Sequence, residues 1–158
     1  MAVKRPSGDG VASSTERHSA LAETLSSVNP DLPQTFCLGY SCDWVAGYGM
    51  AVGGDAWFSV LGGLFPQPCL DIIAAARAGA IDRVEAIIQK LKPLFDIMRR
   101  HGSLRVAYCT VNLCQWLDHT VELPRPLLAL ELEEQAKVRA ALIDSGLAEA
   151  AALKEVVP

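Results

Sequence analysis

The chain has 158 residues, 51% of them hydrophobic, and a formal net charge of -4 from 14 Lys and Arg against 18 Asp and Glu. That is material for one ordinary domain with a core of its own, since domains commonly run roughly 100 to 150 residues. With a mildly acidic balance and no basic run, nucleic acid and membrane are not expected partners, and no apolar stretch reaches the roughly 18 to 20 residues of a membrane span.

The opening "MAVKRPSGDG" places Lys4 behind two apolar residues and ahead of Pro6, Gly8, Asp9 and Gly10. Met1 to Lys4 is expected to be the tail of a short strand, and residues 5–13 a loop. Taken alone, a lysine beside Arg5 is an ordinary solvated cation. A helix should follow, capped by Ser13 or Ser14, with Glu16 at the positive end of its dipole and Leu21, Leu25 and Val28 at helical spacing before Asn29-Pro30 stops it.

"QTFCLGYS" is too short for a helix and predicts a buried strand. Asp43 is expected to cap a helix from Trp44 to about Val52, and "AWFSVLGG", bounded by Gly54-Asp55 and Gly62-Gly63, to form a second strand with both faces covered. Two such strands around one helix predict a parallel α/β unit with a right-handed crossover.

Beyond Pro66 the pattern stays helical. Leu70, Ile73, Ala74 and Arg77 lie on a helix closed by Gly79, and Ile81, Val84, Ile88, Leu91, Phe95 and Met98 form one apolar stripe, with Pro93 expected to kink it. Ser103 to Leu117 is a further helix, "VELPRPLLAL" an extended connection, and Glu131 to Ser145 a last helix ended by Gly146.

Five cysteines, Cys37, Cys42, Cys69, Cys109 and Cys114, contain no Cys-x-x-Cys pair and no zinc spacing, and are expected to be reduced and mostly buried. The first thirty residues are too polar for a secretory leader, so a cytoplasmic protein is expected. His18, His101 and His119 stand far apart and suggest surface or capping roles rather than metal ligation. Gly62-Gly63 lacks a phosphate-loop pattern, which favours a packing role.

Strand-type segments are thus confined to the first 61 residues, and two or three parallel strands make a poor independent fold, with unpaired edges and an uncovered apolar face. "VKRPSGDG", a helix, "FCLGYSCDW", a helix, "GGDAWFSVLGGLFPQ" and then "AARAGAIDRVEAIIQKLKPLFDIM" resemble, in order and spacing, the C-terminal half of the dihydrodipicolinate synthase and N-acetylneuraminate lyase family, from Val3 to about Leu147. The resemblance implies an α/β fold, a partial TIM (β/α)8 barrel. Val3-Lys4 would end the sixth strand, "TFCLGYS" would be the seventh and "AWFSVLGG" the eighth, with residues 1–79 as barrel segment and 80–158 as a C-terminal helical extension.

In such enzymes the sixth-strand lysine forms a Schiff base with the keto carbon of pyruvate or a related 2-oxo acid, with no metal or organic cofactor, and Lys4 falls on that position. At its reference pKa of about 10.4 only roughly one lysine in 2,500 is neutral at pH 7, so the amine needs burial or nearby positive charge to act. Gly39 and Ser41 at the end of the seventh strand, and Ser59, Leu61 and Gly62 at the end of the eighth, would lie on the face where barrel active sites form, and are the candidate substrate contacts. Gly39 serves equally as a turn residue, and Asp43 is better suited to capping than to acid chemistry.

The sequence departs from the family at three places. It contains neither the second-strand Gly-Thr-Thr-Gly-Glu motif, which holds the substrate carboxylate, nor the fifth-strand Tyr-Asn-x-Pro motif with its proton-shuttling tyrosine, and Tyr40-Ser41-Cys42-Asp43 stands where Ser-Gly-Asp-Asp is usual. The expectation is a truncated relative, inactive alone, that carries the lysine and works as a homo-oligomer or with a complementary barrel half. The alternative is a non-catalytic assembly partner, or a longer natural chain.

Overall fold

The computed structural model describes residues 37–149 and 152–156, together with Glu16, Ser19, Ala20, Glu23 and Ser27. Lys4 and the strand expected around it lie outside the described residues. Within the first expected helix, the five described positions are helical and exposed. By their contacts the described residues gather into two units, one reaching to 62 and taking in 66–88, the other 63–65 with those from 89 onward.

The first unit contains the expected β-α-β arrangement. Strand β1, Gly39–Ser41, is followed by helix α1, Asp43–Ala51, and by strand β2, Ala56–Phe58. The strands pair in parallel, with Gly39 opposite Ala56, Tyr40 opposite Trp57 and Ser41 opposite Phe58. Both are only three residues long, shorter than the apolar runs that predicted them. The second run breaks off because Leu61–Leu64 turns into a short helix, α2.

Side chains alternate across a strand, so the two faces of this sheet differ. Tyr40 points toward α1, where its ring fills the space that side chains at Gly49 and Gly54 would need: a Cβ there would come within 2.3 Å and 2.7 Å of ring carbons. Helix α1 is correspondingly a core helix, with Val45, Ala46, Gly47, Tyr48 and Gly49 all buried. It packs on helix α3, Pro66–Arg77. The opposite sheet face carries Gly39, Ser41, Ala56 and Phe58, and the Phe58 ring is 60% exposed. The expectation that both faces of β2 are covered therefore fails among the described residues.

Helix α3 is the helix expected around Leu70, Ile73, Ala74 and Arg77, and its inward face is a narrow one. Cys69, Ile72, Ala75 and Ala76 are buried, whereas Leu70, Ala74 and Arg77 are exposed. Small residues allow this face to pack tightly: Ile72 Cγ2 lies 3.0 Å from where a Cβ on Gly47 would stand, so the helices approach closely at that place. Gly79 then closes the helix at φ 68°.

Helix α4, Ile81–His101, keeps the predicted stripe and runs unbroken through Pro93. Val84 and Ile88 are buried in the first unit, and Leu91, Leu94, Phe95 and Met98 in the second. The second unit adds α5, Ser103–Leu113, and α6, Leu132–Asp144, which pack on each other and bury Val106, Leu113, Val138 and Leu142. Helix α5 ends four residues before the predicted Leu117, where Gln115 takes φ 50° and Trp116 meets Phe65 edge to face, centroids 5.3 Å apart. Residues 121–130 are the extended, Pro-interrupted connection that was expected, and the last helix begins at Leu132, one residue after the expected Glu131.

All five cysteines are free, but only Cys69 and Cys109 are buried, and Cys37 is exposed. The expectation of mostly buried thiols is corrected accordingly. Burial pushes the Cys109 thiol up to about 12, with Cys114 adding to it, so it stays protonated at neutral pH. Among the described residues no helix is long and apolar enough to cross a membrane.

Candidate functional site

The candidate contacts collect where β1 and β2 end, on adjacent parallel strands. At the strand starts, Asp55 fastens the pair: Leu38 N–H donates to its Oδ2 at 2.8 Å, and Asp55 N–H donates back to Leu38 O at 2.9 Å. Asp43 fastens the strand ends. Its Oδ1 accepts from Trp57 Nε1 at 3.1 Å, and its Oδ2 accepts from the backbone N–H of Val60 at 3.2 Å and of Leu61 at 2.9 Å.

This is not the capping role expected of Asp43. The capping position of α1 is taken by Cys42, which makes no side-chain cap bond. Asp43 is the first helical residue, 2% exposed, and its carboxylate reaches across to the start of α2 instead. A buried carboxylate needs several donors to offset its lost hydration, and the turn after β2 supplies them. Cys42 is held at φ 72°, a backbone region that non-glycine residues rarely occupy and that costs about 1 kcal/mol or more.

Ser59 completes the turn. Its Oγ accepts from Gly62 N–H at 2.7 Å and lies 3.6 Å from Cys69 Sγ. Burial pushes the Cys69 thiol up to about 11; the Ser59 hydrogen bond opposes this shift and the Asp43 charge reinforces it. Cys69 is therefore a neutral thiol at physiological pH and not a nucleophile.

The candidates thus have unequal access. The Leu61 side chain is fully buried in the core, leaving its backbone tied to Asp43. Ser59 and Gly62 bond each other. Gly39 is crossed by Phe58, whose Cε2 would lie 2.5 Å from a Cβ at that position. Ser41 is half-buried on the uncovered sheet face, 4.0 Å from Cys42 Sγ, and has the least committed hydroxyl. Lys4 lies outside the described residues. Among those described, no three His, Cys, Asp or Glu side chains group as a metal site.

Two features were not legible beforehand. The Asp43 bridge spans 17 and 18 residues to Val60 and Leu61, and no local pattern announces it. The pairing of Ser59 with Gly62 three residues later is a short Ser-x-x-Gly cap that the "AWFSVLGG" run conceals among apolar neighbours.

A model of the dihydrodipicolinate synthetase family matches residues 8–145. Comparison with curated proteins gives no match. Among solved structures, a dihydrodipicolinate synthase from Agrobacterium tumefaciens is 35% identical at a TM-score of 0.70, covering 78% of this chain and 41% of that one. The Thermotoga maritima dihydrodipicolinate synthase is 19% identical at a TM-score of 0.70, covering 91% of this chain and 45% of that one. A chloride-inhibited dihydrodipicolinate synthase from Acinetobacter baumannii, complexed with pyruvate, is 21% identical at a TM-score of 0.64, covering 80% and 42%.

The last two bear on fold alone, and the chain spans less than half the length of each of these proteins. The fold is of the TIM-barrel type those enzymes share. With a family match over most of its length, the chain belongs to the dihydrodipicolinate synthetase family.

Proposed function

We propose that this chain is the lysine-bearing part of a cytoplasmic lyase or aldolase that acts on pyruvate or a related 2-oxo acid through a Schiff base, and that it is inactive alone. The observation that carries this is the family match over residues 8–145. The parallel pair of β1 and β2 supports it, since barrel active sites form at the strand C-terminal ends that Asp43 draws together. In this assignment Val3-Lys4, β1 and β2 correspond to barrel strands six, seven and eight. Residues 1–79 are the barrel segment and 80–158 the helical extension.

Lys4 Nζ, as the free amine, adds to the keto carbon, and loss of water leaves the iminium that serves as electron sink for carbon-carbon bond formation or cleavage. Ser41 and the Gly39 backbone are the substrate contacts with the most room, and Ser59, Leu61 and Gly62 shape the rim through the turn they build. No metal or organic cofactor enters this chemistry. The carboxylate-holding and proton-shuttling motifs are absent from the sequence, so a second barrel half must supply them. The exposed face of Phe58 is where it docks, and the same face favours a second role as assembly partner within a homo-oligomer.

Trapping tests the assignment: the chain is incubated with pyruvate and borohydride, digested and weighed, alone and with the N-terminal half-barrel of the Agrobacterium tumefaciens enzyme supplied in trans. No adduct is expected alone. With the half-barrel, an adduct confined to Lys4 and lost in Lys4→Ala is expected. Lys137 makes a useful internal reference, because Glu133 and then Glu134 push its ammonium up, away from the free amine. Adducts spread evenly over all lysines, or none at Lys4 in a complex that co-purifies, would sink the assignment.

A further inference from the structure

The second unit contains a cavity of about 560 Å3 that the family chemistry does not use. It lies beneath the extended strap that joins α5 to α6, and its origin can be followed bond by bond. Asn112 on α5 holds one end of the strap reciprocally: its Nδ2 donates to Val121 O at 3.0 Å, and its Oδ1 accepts from Val121 N–H at 2.8 Å. The other end is held by Arg105, whose Nε and Nη2 donate to Leu128 O at 2.8 Å and Ala129 O at 3.0 Å, and by Gln135 Nε2 on Leu130 O at 2.7 Å.

Between these clamps the strap bonds to itself, with Leu127 N–H donating to Pro124 O. The hollow is left below that stretch. The C-terminal segment walls its remaining side, anchored by Lys154 N–H on Leu113 O at 2.8 Å.

The lining joins an apolar wall to a fixed cation. Val121, Leu123 and Leu127 come from the strap and the Tyr108 ring from α5. Arg105 stands one turn before Tyr108, and among the described residues its guanidinium bonds to backbone carbonyls and makes no ion pair within 4 Å. Two of its five N–H groups are committed to carbonyls that hold the fork in place, which leaves three donors on a preorganised, half-buried cation. Arg125 and Lys154 add positive charges to the lining and Glu122 and Glu155 negative ones, which leaves the cations in excess by one. The size and the mixture of apolar wall with few polar groups are those of small-molecule sites, which run roughly 300 to 1,000 Å3.

We propose that this cavity binds a small amphipathic carboxylate, with its carboxylate on Arg105 and its apolar body against the strap and Tyr108. Three probes of one carbon skeleton separate charge from hydrophobic contact: 4-phenylbutanoate, 4-phenylbutanol and 4-phenylbutylamine, each titrated into the full isotope-labelled chain and followed by amide NMR shifts. Saturable shifts centred on Tyr108, Val121 and Leu128 are expected, with the acid binding about tenfold tighter than the alcohol and the amine weakest.

Arg105→Gln should bring the acid down to the level of the alcohol. Because Arg105 also holds the strap, Leu123→Trp is the second variant: it fills the hollow while leaving every clamp in place, and should abolish binding of the acid in a chain whose spectrum stays dispersed. Shifts that never saturate, an amine that matches the acid, or acid binding that survives Leu123→Trp would each overturn the proposal.

Discussion

Asp43 concentrates more of the local structure on one side chain than any candidate contact does. Its carboxylate accepts three hydrogen bonds while 2% exposed, so removing it takes the acceptor from a buried backbone N–H and from a half-buried indole and a second backbone N–H. Asp43→Ala should lower the unfolding free energy by about 3 kcal/mol, read as a fall in the urea midpoint. Asp43→Asn should recover little of this, since its amide nitrogen would face a donor on one side or the other. A loss under about 0.5 kcal/mol, the level of an ordinary surface change, would show that the bridge does not form. The sequence made Asp43 visible as a helix-start residue but put it at the cap, one position ahead of the helix whose first residue it is. It could not show which helix the carboxylate serves, because hydrogen-bonding partners distant along the chain leave no periodic trace.

At the scale of elements, α4 and α6 carry separate tests. Pro93 sits exposed in the middle of α4, where it removes one backbone donor from an otherwise unbroken helix. Pro93→Ala should stabilise the chain by up to about 3 kcal/mol, seen as a raised melting temperature. No change or a loss would mean that packing around the ring compensates.

The end of α4 meets the first turn of α6 through His101 Nε2 and Glu134 Oε2, 2.7 Å apart, and Lys137 also reaches Glu134 at 2.7 Å. Lys137, then His101, hold the Glu134 carboxyl below the usual carboxylate range. Its folded form therefore binds a proton less readily than the unfolded chain does. The resulting stabilisation is present above the ordinary value of 4.5 and is lost as the pH falls through the depressed one. The urea midpoints of wild type and Glu134→Gln should thus differ most above the ordinary carboxylate range, where Glu134 is ionised, and converge in acid. A gap that persists in acid would assign the effect to shape instead of charge.

Of these elements, the α4 stripe was legible because six large apolar residues recur along it. The α3 face was not, because its buried side is built from Cys69, Ala75 and Ala76 around Ile72, and close helix approach rewards small volume that a hydrophobicity pattern undervalues.

For the molecule as a whole, the parallel β-α-β unit could be read from two short apolar runs and the helix between them. The limited cover of its sheet followed from the shortage of strands. Phe58 is the visible result, an aromatic ring 60% exposed beside Ser41 on the face opposite α1. Exposed apolar surface of this kind drives association. Light scattering on the purified chain should show concentration-dependent self-association, and Phe58→Ser should shift it toward monomer without lowering the melting temperature. A chain that is monomeric at every concentration tested would remove this face as an assembly surface. The strap cavity was beyond the reach of sequence because it is bounded by hydrogen bonds from Asn112, Arg105 and Gln135, each of which alone looks like a surface polar residue.

Tyr40 has a consequence for descent as well as for packing. By the resemblance read from the sequence it stands where serine is usual, and its ring takes up volume that Gly49 and Gly54 leave vacant. Neither change is tolerable by itself: a larger residue at either glycine collides with the ring, and Tyr40→Ser beside two glycines would open a void. The three positions should therefore be inherited as a block, so that relatives with a serine in place of Tyr40 carry alanine or larger residues in place of the two glycines, and lineages with the tyrosine keep both.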